Sequence, residues 1–164
     1  MRSALLAILS VLPLALIAPA PAASQEAHTE RSAQSKVPPR IGRLSAGEVR
    51  RALLGRSMQG EYPDGRQWTE TFNTDMTSRY VESGQVSRGA MRFDGSNLCF
   101  TYASGFSGGC FEVWRRSDNC FDFYAIADDG SVTATTRQRQ EGQGWTARAW
   151  FEGRKSTCIA DQIA

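Results

Sequence analysis

The residue worth most attention as a possible chemical group is Glu70. It lies in the segment Trp68-Thr69-Glu70-Thr71-Phe72, where alternation puts it on the same side as two large aromatic rings. A carboxylate on an aromatic face has three readings: a rim residue that snorkels to water, a partner for a buried arginine, or a ligand contact in the mouth of a barrel. Tyr80 and Tyr102 belong to neighbouring aromatic segments and are candidates for the same interior. Trp68, Glu70, Tyr80 and Tyr102 are therefore the candidate ligand-binding set. The face of the strand that carries Tyr80 is ambiguous, because Met76, Ser78 and Tyr80 compete with Thr77, Arg79 and Val81 for the inner side.

Other motifs carry less chemistry. Gly105-Phe106-Ser107-Gly108-Gly109 fits the G-x-S-x-G pattern of a nucleophile elbow. An elbow needs a strand turning sharply into a helix, a histidine base and an acid. Strand patterns flank this segment on both sides, and the only histidine, His28, precedes the part expected to fold. Ser107 thus reads as part of a glycine-rich turn. Asp128-Asp129-Gly130-Ser131 lacks the spaced oxygens of a calcium loop and reads as a turn. The cysteines are not spaced as C-x-x-C and have no folded histidine beside them, so no metal site and no cofactor are expected.

The compartment follows from the first residues. Arg2 precedes a nearly unbroken apolar run over 4–18, and Ala20-Pro21-Ala22 supplies the small residues of a cleavage site. Residues 1–22 are expected to be a signal peptide, cut near Ala22, because the apolar run is shorter than the roughly 20 residues of a membrane span. The protein is expected in the periplasm or secreted, with no membrane span in the mature chain. Residues 23–40 are polar, lack aromatic residues and contain Pro38-Pro39; they are expected to form a disordered linker that holds His28. Residues 41–164 are expected to be one domain. The precursor carries 19 basic and 17 acidic residues, a formal charge of +2. That is no footprint for nucleic acid.

The elements that must hold the candidate residues can be read next. Ser45 and Glu48 form a capping box, and Val49, Leu53 and Leu54 share a helical face that ends at Gly55. One short amphipathic helix is predicted there. Beyond it the period is two, and turn signals recur about every ten residues. Strands are predicted near 57–62, 67–73, 76–82, 86–93, 97–103, 110–115, 120–127, 132–140 and 145–152. The class is all-β, an antiparallel meander closed as a barrel or packed as a sandwich.

Alternation places Leu98, Phe100, Phe111, Val113, Phe121 and Phe123 in the core, joined by Trp68, Phe72, Met91, Phe93, Trp145 and Phe151. Cys99, Cys110 and Cys120 fall on the opposite, outer side. Four cysteines allow three connectivities. If Cys99 faces Cys110 in a hairpin, Leu98 faces Phe111, so disulfide and core share one register. Cys120 then pairs with Cys158 and ties down the tail.

The succession from Leu44 to Gly55, the strand of Trp68, Glu70 and Phe72, Arg92-Phe93-Asp94-Gly95 before Leu98-Cys99-Phe100, then Gly109-Cys110-Phe111-Glu112-Val113 and Phe121-Asp122-Phe123-Tyr124 resembles a family of small secreted alphaproteobacterial proteins classed as a domain of unknown function. The resemblance spans residues 44–133. Two features depart from the family's pattern: Gly89-Ala90-Met91 stands where the family tends to have a tryptophan, and Cys120 with Cys158 form an added pair. The resemblance implies a small lipocalin-like barrel and brings no activity with it.

The expected function is a non-enzymatic binding module of the cell envelope, taking either a small apolar ligand or a protein partner. An inhibitor of cell-wall hydrolases is an alternative by analogy of fold. A carboxylate-based hydrolase using Glu70 with a second acid is a further one, although no spacing pairs another carboxylate with it. An open interior favours a ligand or catalysis, and a solid one favours surface binding.

Overall fold

The computed structural model describes residues 41–103 and 105–158. The expected signal peptide, the linker and His28 lie outside the described residues, as do residues 159–164 of the expected domain. Eight strands follow one another: β2 (Arg56–Glu61), β3 (Gln67–Phe72), β4 (Thr77–Glu82), β5 (Gln85–Asp94), β6 (Asn97–Tyr102), β7 (Gly109–Ser117), β8 (Cys120–Ile126) and β9 (Ala147–Phe151). A two-residue strand, β1 (Gly42–Arg43), and a helix, α1 (Ala46–Leu53), precede them, and a second helix, α2 (Thr136–Glu141), interrupts them before β9.

Each strand from β2 to β9 pairs antiparallel with the next, and β9 pairs back onto β2. The sheet is therefore a closed eight-stranded up-and-down barrel, which leaves no long edge to be satisfied. The tight turns are built as the sequence signals. Ser83 and Gly84 both take positive φ, 49° and 78°, in the two-residue turn between β4 and β5. β6 reaches only as far as Phe111 on β7, and β1 pairs with Trp114 and Arg115 beyond that point. β1 thus covers the stretch of β7 that β6 leaves open.

The alternation holds through the barrel. Met58, Trp68, Phe72, Tyr80, Met91, Leu98, Phe100, Val113, Phe121, Phe123 and Phe151 are buried together, with Phe93 and Phe111 packed against them. Trp145 is the exception to the predicted core. It precedes β9, is half-buried, and stacks under the Arg148 guanidinium at 4.7 Å.

α1 has the predicted capping box: the Ser45 amide donates to Glu48 Oε2 at 2.8 Å and the Glu48 amide to Ser45 Oγ at 3.4 Å. Its buried residues, Val49, Ala52 and Leu53, join the core. Gly55 N donates to Phe72 O, and Arg50 lies 4.2 Å over the Phe93 ring, so the helix rests at the end of the barrel where β3 passes into β4. No helix among the described residues is long and apolar enough to cross a membrane.

The stretch 132–140, expected as a strand, is mostly α2. Thr135 and Gln138 form a second capping box, and Gly142 ends the helix at φ 77°. These local signals outweigh the weak alternation of Val132, Ala134 and Thr136. No residue of α2 is buried. It is held from beneath by arginines: Arg116 Nη2 donates to Arg139 O at 2.5 Å and Arg148 Nη2 to Gly142 O at 3.0 Å. Both guanidinia bind Asp122, which is 0% exposed.

The two disulfides are Cys99–Cys110 and Cys120–Cys158. Cys99 sits directly opposite Cys110 while Leu98 faces Phe111, so the bridge and the core share one register. The cysteines point away from the barrel interior as expected, yet Cys99 and Cys120 are 3% and 1% exposed. An outward phase is therefore not an exposed one. Arg92, opposite Cys99 in the ladder, reaches Cys110 Sγ at 3.9 Å, and the tail crosses near Cys120.

Candidate functional site

At the end of the barrel away from α1, the interior opens into a cavity of about 410 Å³. That lies within the roughly 300–1,000 Å³ of small-molecule sites. Trp68, Glu70, Tyr80 and Tyr102, the four candidate residues, all line it. Among the other lining residues are Tyr62 and Arg66 from the β2–β3 turn, Glu82 at the end of β4, and Phe106 from the β6–β7 loop, none of which spacing marks as a ligand contact.

The strand register explains the gathering. Glu70 faces Tyr80 across the β3–β4 ladder, and Trp68 faces Glu82. All four side chains share the inner face, so Ser78, Tyr80 and Glu82 form the inner set of β4. Glu82 was hidden because the face of this strand is ambiguous in sequence. Once Tyr80 is known to point inward, period two places Glu82 beside it.

Two glycines make room for the rings. A Cβ on Gly60 would fall 2.4 Å from the Trp68 indole and 2.6 Å from Arg148 O. A Cβ on Gly89 would fall 2.4 Å from Ser78 Oγ and 2.9 Å from the Tyr102 ring. Neither needs a left-handed backbone; each is a glycine because aromatic or polar side chains occupy the space.

The polar atoms form two systems. At the rim, Arg66 Nη1 binds Glu82 Oε1, and Arg66 Nε binds Asp64 Oδ2 at 2.8 Å. The Tyr80 hydroxyl donates to Glu82 Oε2 at 2.7 Å. Its single proton is thereby committed, so the Tyr62 hydroxyl, 2.6 Å away, is the donor to Tyr80. Deeper in, the Tyr102 hydroxyl donates to Glu70 Oε1 at 3.0 Å.

Burial dominates the electrostatics. Glu70 is 4% exposed, and burial pushes its carboxyl up to about 7, against the opposing pull of the nearby Ser78 and Tyr102 hydroxyls. Ser78 Oγ nonetheless completes no hydrogen bond of ordinary geometry. Burial also raises the phenols of Tyr80 and Tyr102, reinforced by their carboxylate neighbours, so both stay protonated donors. The Trp68 indole N–H is buried without an acceptor.

Aromatic faces complete the walls. Tyr80 packs against Phe106 at 4.8 Å, Tyr102 at 5.1 Å and Trp68 at 6.1 Å between ring centroids. Ser107 stands at the rim, in a loop that runs from one strand to another, so it lacks the strand-to-helix turn of a nucleophile elbow. Among the described residues no group of three or more His, Cys, Asp or Glu side chains is placed to hold a metal.

No protein-family model matches the chain, and no similar curated protein is found.

Proposed function

We propose that this protein is a non-enzymatic binding module that takes a small ligand with an apolar body into the mouth of its barrel. The single observation that carries this is the open, aromatic-walled cavity with a buried carboxyl in its wall. An interior packed solid would have directed attention to the outer surface and to a protein partner or an inhibitor role. The depth and apolar character of the cavity favour a small ligand instead.

The setting is the periplasm or the extracellular space, reached by signal cleavage near Ala22. Two disulfides support an oxidising compartment. Membership of the small secreted alphaproteobacterial family rests on the residue pattern given above and is part of the same proposal.

One observation favours a second reading. Glu70 and Glu82 lie diagonally across adjacent strands in one cavity. A neutral acid beside an ionised carboxylate is the arrangement of a carboxylate-dependent hydrolase. Each oxygen of Glu82 is engaged, however, one by Arg66 and the other by Tyr80, which stabilises the carboxylate as an ion-pair partner and makes it a poor base or nucleophile. Binding is thus the better account.

The test is a titration with N-phenyl-1-naphthylamine, an apolar dye that fluoresces in dry sites. Saturable emission at one dye per chain is expected. Ser107→Trp, which fills the exposed rim without touching the core, should weaken it about tenfold or more. Emission that is unsaturable, or unchanged in Ser107→Trp, would count against the cavity.

A further inference from the structure

Four carboxyl groups are buried among the described residues: Glu70, Glu82, Glu112 and Asp122. Three of them have arginine partners. Arg66 binds Glu82, Arg43 and Arg139 bind Glu112, and Arg116 and Arg148 bind Asp122. This is what burial of charge requires, since an isolated ion in a protein interior loses its hydration with nothing to replace it. Glu70 is the exception. No basic side chain among the described residues pairs with it; its polar neighbours are the neutral hydroxyls of Tyr102, which donates to it at 3.0 Å, and of Ser78. It is also the most deeply buried of the carboxyls that line the cavity.

The cavity around Glu70 offers acceptors more than donors. The hydroxyl protons of Tyr62, Tyr80 and Tyr102 are spent on Tyr80, Glu82 and Glu70. What remains, beside the single Trp68 indole N–H, is carboxyl and phenol lone pairs and the negative faces of Trp68, Tyr80, Tyr102 and Phe106. Aromatic faces around a carboxylate are the surroundings in which an ammonium group is held best. A cation is the one ligand charge that both systems attract.

We propose that the missing partner of Glu70 is supplied by the ligand: the cavity binds an organic cation, an ammonium group carried on a small apolar body. This rests on the small-ligand function proposed above and narrows it to a chemical class. Without the cation, the Tyr102 hydroxyl and, below about pH 7, the carboxyl's own proton take its place. Binding expels that proton from Glu70 to solvent and leaves an ion pair in the cavity.

The groups facing Glu70 allow a clean test. On β2 its neighbour is Met58; on β4 they are Ser78, Tyr80 and Glu82; on β6 it is Tyr102; and Tyr62 and Arg66 stand at the rim. Of these only Glu82 and Arg66 bear opposite charges, and they are paired with each other. A change in cation affinity between pH 5.5 and pH 8 therefore reports Glu70.

Choline and 3,3-dimethylbutan-1-ol have nearly the same shape and differ in charge. Nuclear magnetic resonance titration of each, followed at Trp68, Tyr80 and Tyr102, gives the two affinities. At pH 8 choline should bind about tenfold or more tighter than the alcohol. At pH 5.5 choline binding should fall about tenfold while the alcohol is unaffected. Glu70→Gln should remove the choline preference at pH 8. Should that variant fail to fold, the pH comparison on the unaltered protein decides alone. Equal affinities, a preference that survives Glu70→Gln, or no response to choline overturn the cation. If N-phenyl-1-naphthylamine still binds in those cases, the cavity remains a binding site and only its ligand class is wrong.

Discussion

The Tyr102 hydroxyl donates to Glu70 Oε1 at 3.0 Å from a strand three positions away around the barrel. The bond crosses the interior and does not follow the sheet. It is possible because Gly89, on the strand between β4 and β6, has no side chain where the Tyr102 ring lies. The absence of a side chain at Gly89 is thus what lets a tyrosine reach the buried carboxyl. Sequence, packing and the electrostatics of the cavity meet at this contact.

Glu70 should make stability depend on pH. Its carboxyl titrates at about 7 in the folded protein against 4.5 for the ordinary side chain. Between those values the folded state binds more protons than the unfolded one, so stability is full below about pH 4.5 and falls as pH rises toward 7. The size is about 3 kcal/mol, from roughly 1.4 kcal/mol per pH unit. Urea unfolding at pH 5 and pH 8 should show the loss in the unaltered protein. Glu70→Gln should abolish this component and be the more stable of the two at pH 8. The same slope in both proteins would mean that Glu70 is not the group.

Asp122 should be the anchor of α2. Removing it with Asp122→Ala leaves the Arg116 and Arg148 guanidinia without their common anion, at a cost of about 3–5 kcal/mol. α2 has no buried side chain of its own to hold it. Hydrogen exchange at residues 136–142 should therefore accelerate more than exchange in β3 or β4. Uniform acceleration across the barrel would show that the helix is held by something else.

The tail should depend on Asn119 as much as on its disulfide. Asn119 is buried; Oδ1 accepts from Phe151 N at 2.9 Å, and Nδ2 donates to Lys155 O at 3.0 Å. Its backbone N–H also donates to Thr157 Oγ1 at 2.9 Å, a bond that does not depend on the side chain. Asn119→Ala should cost about 2–3 kcal/mol, chiefly by orphaning the buried Phe151 amide and removing the donor to Lys155 O. Removing the Cys120–Cys158 bridge, which closes a loop of 38 residues, should cost about 4 kcal/mol in the chain-entropy model. Urea midpoints of Asn119→Ala and of Cys120→Ala with Cys158→Ser would measure both. A neutral Asn119→Ala would show that the disulfide alone holds the tail.

Much of the barrel was legible because period two is a direct consequence of strand geometry. Leu98, Phe100, Phe121 and Phe123 could be assigned to the interior, and the Cys99–Cys110 register followed from the same parity. α2 was missed for a different reason. Its capping box, Thr135 and Gln138, is as plain as that of Ser45 and Glu48, but it lies in a polar segment with no apolar stripe to mark a helix. Trp145 stands just ahead of β9, outside the strand alternation that predicted it inside, and the Arg148 guanidinium covers its ring at 4.7 Å.

The candidate site was legible in part. Trp68, Glu70, Tyr80 and Tyr102 do gather around one cavity, because each lies on an inward face of its strand. Glu82 and Tyr62 could not be joined to them from spacing, since their partnership with Tyr80 depends on hairpin register and on the turn that returns Arg66 over the rim. That Glu70 has no arginine partner among the described residues is invisible in a chain with so many of them; it emerges only when the arginines of the buried ion pairs are seen on Glu82, Glu112 and Asp122.

The most direct measurement is of intermolecular nuclear Overhauser effects between the protein and bound N-phenyl-1-naphthylamine. The account predicts contacts from the dye to Trp68, Tyr80, Tyr102 and Phe106, the rings that wall the cavity. Contacts confined to the outer face of the barrel, around Trp114 or Trp150, would contradict it.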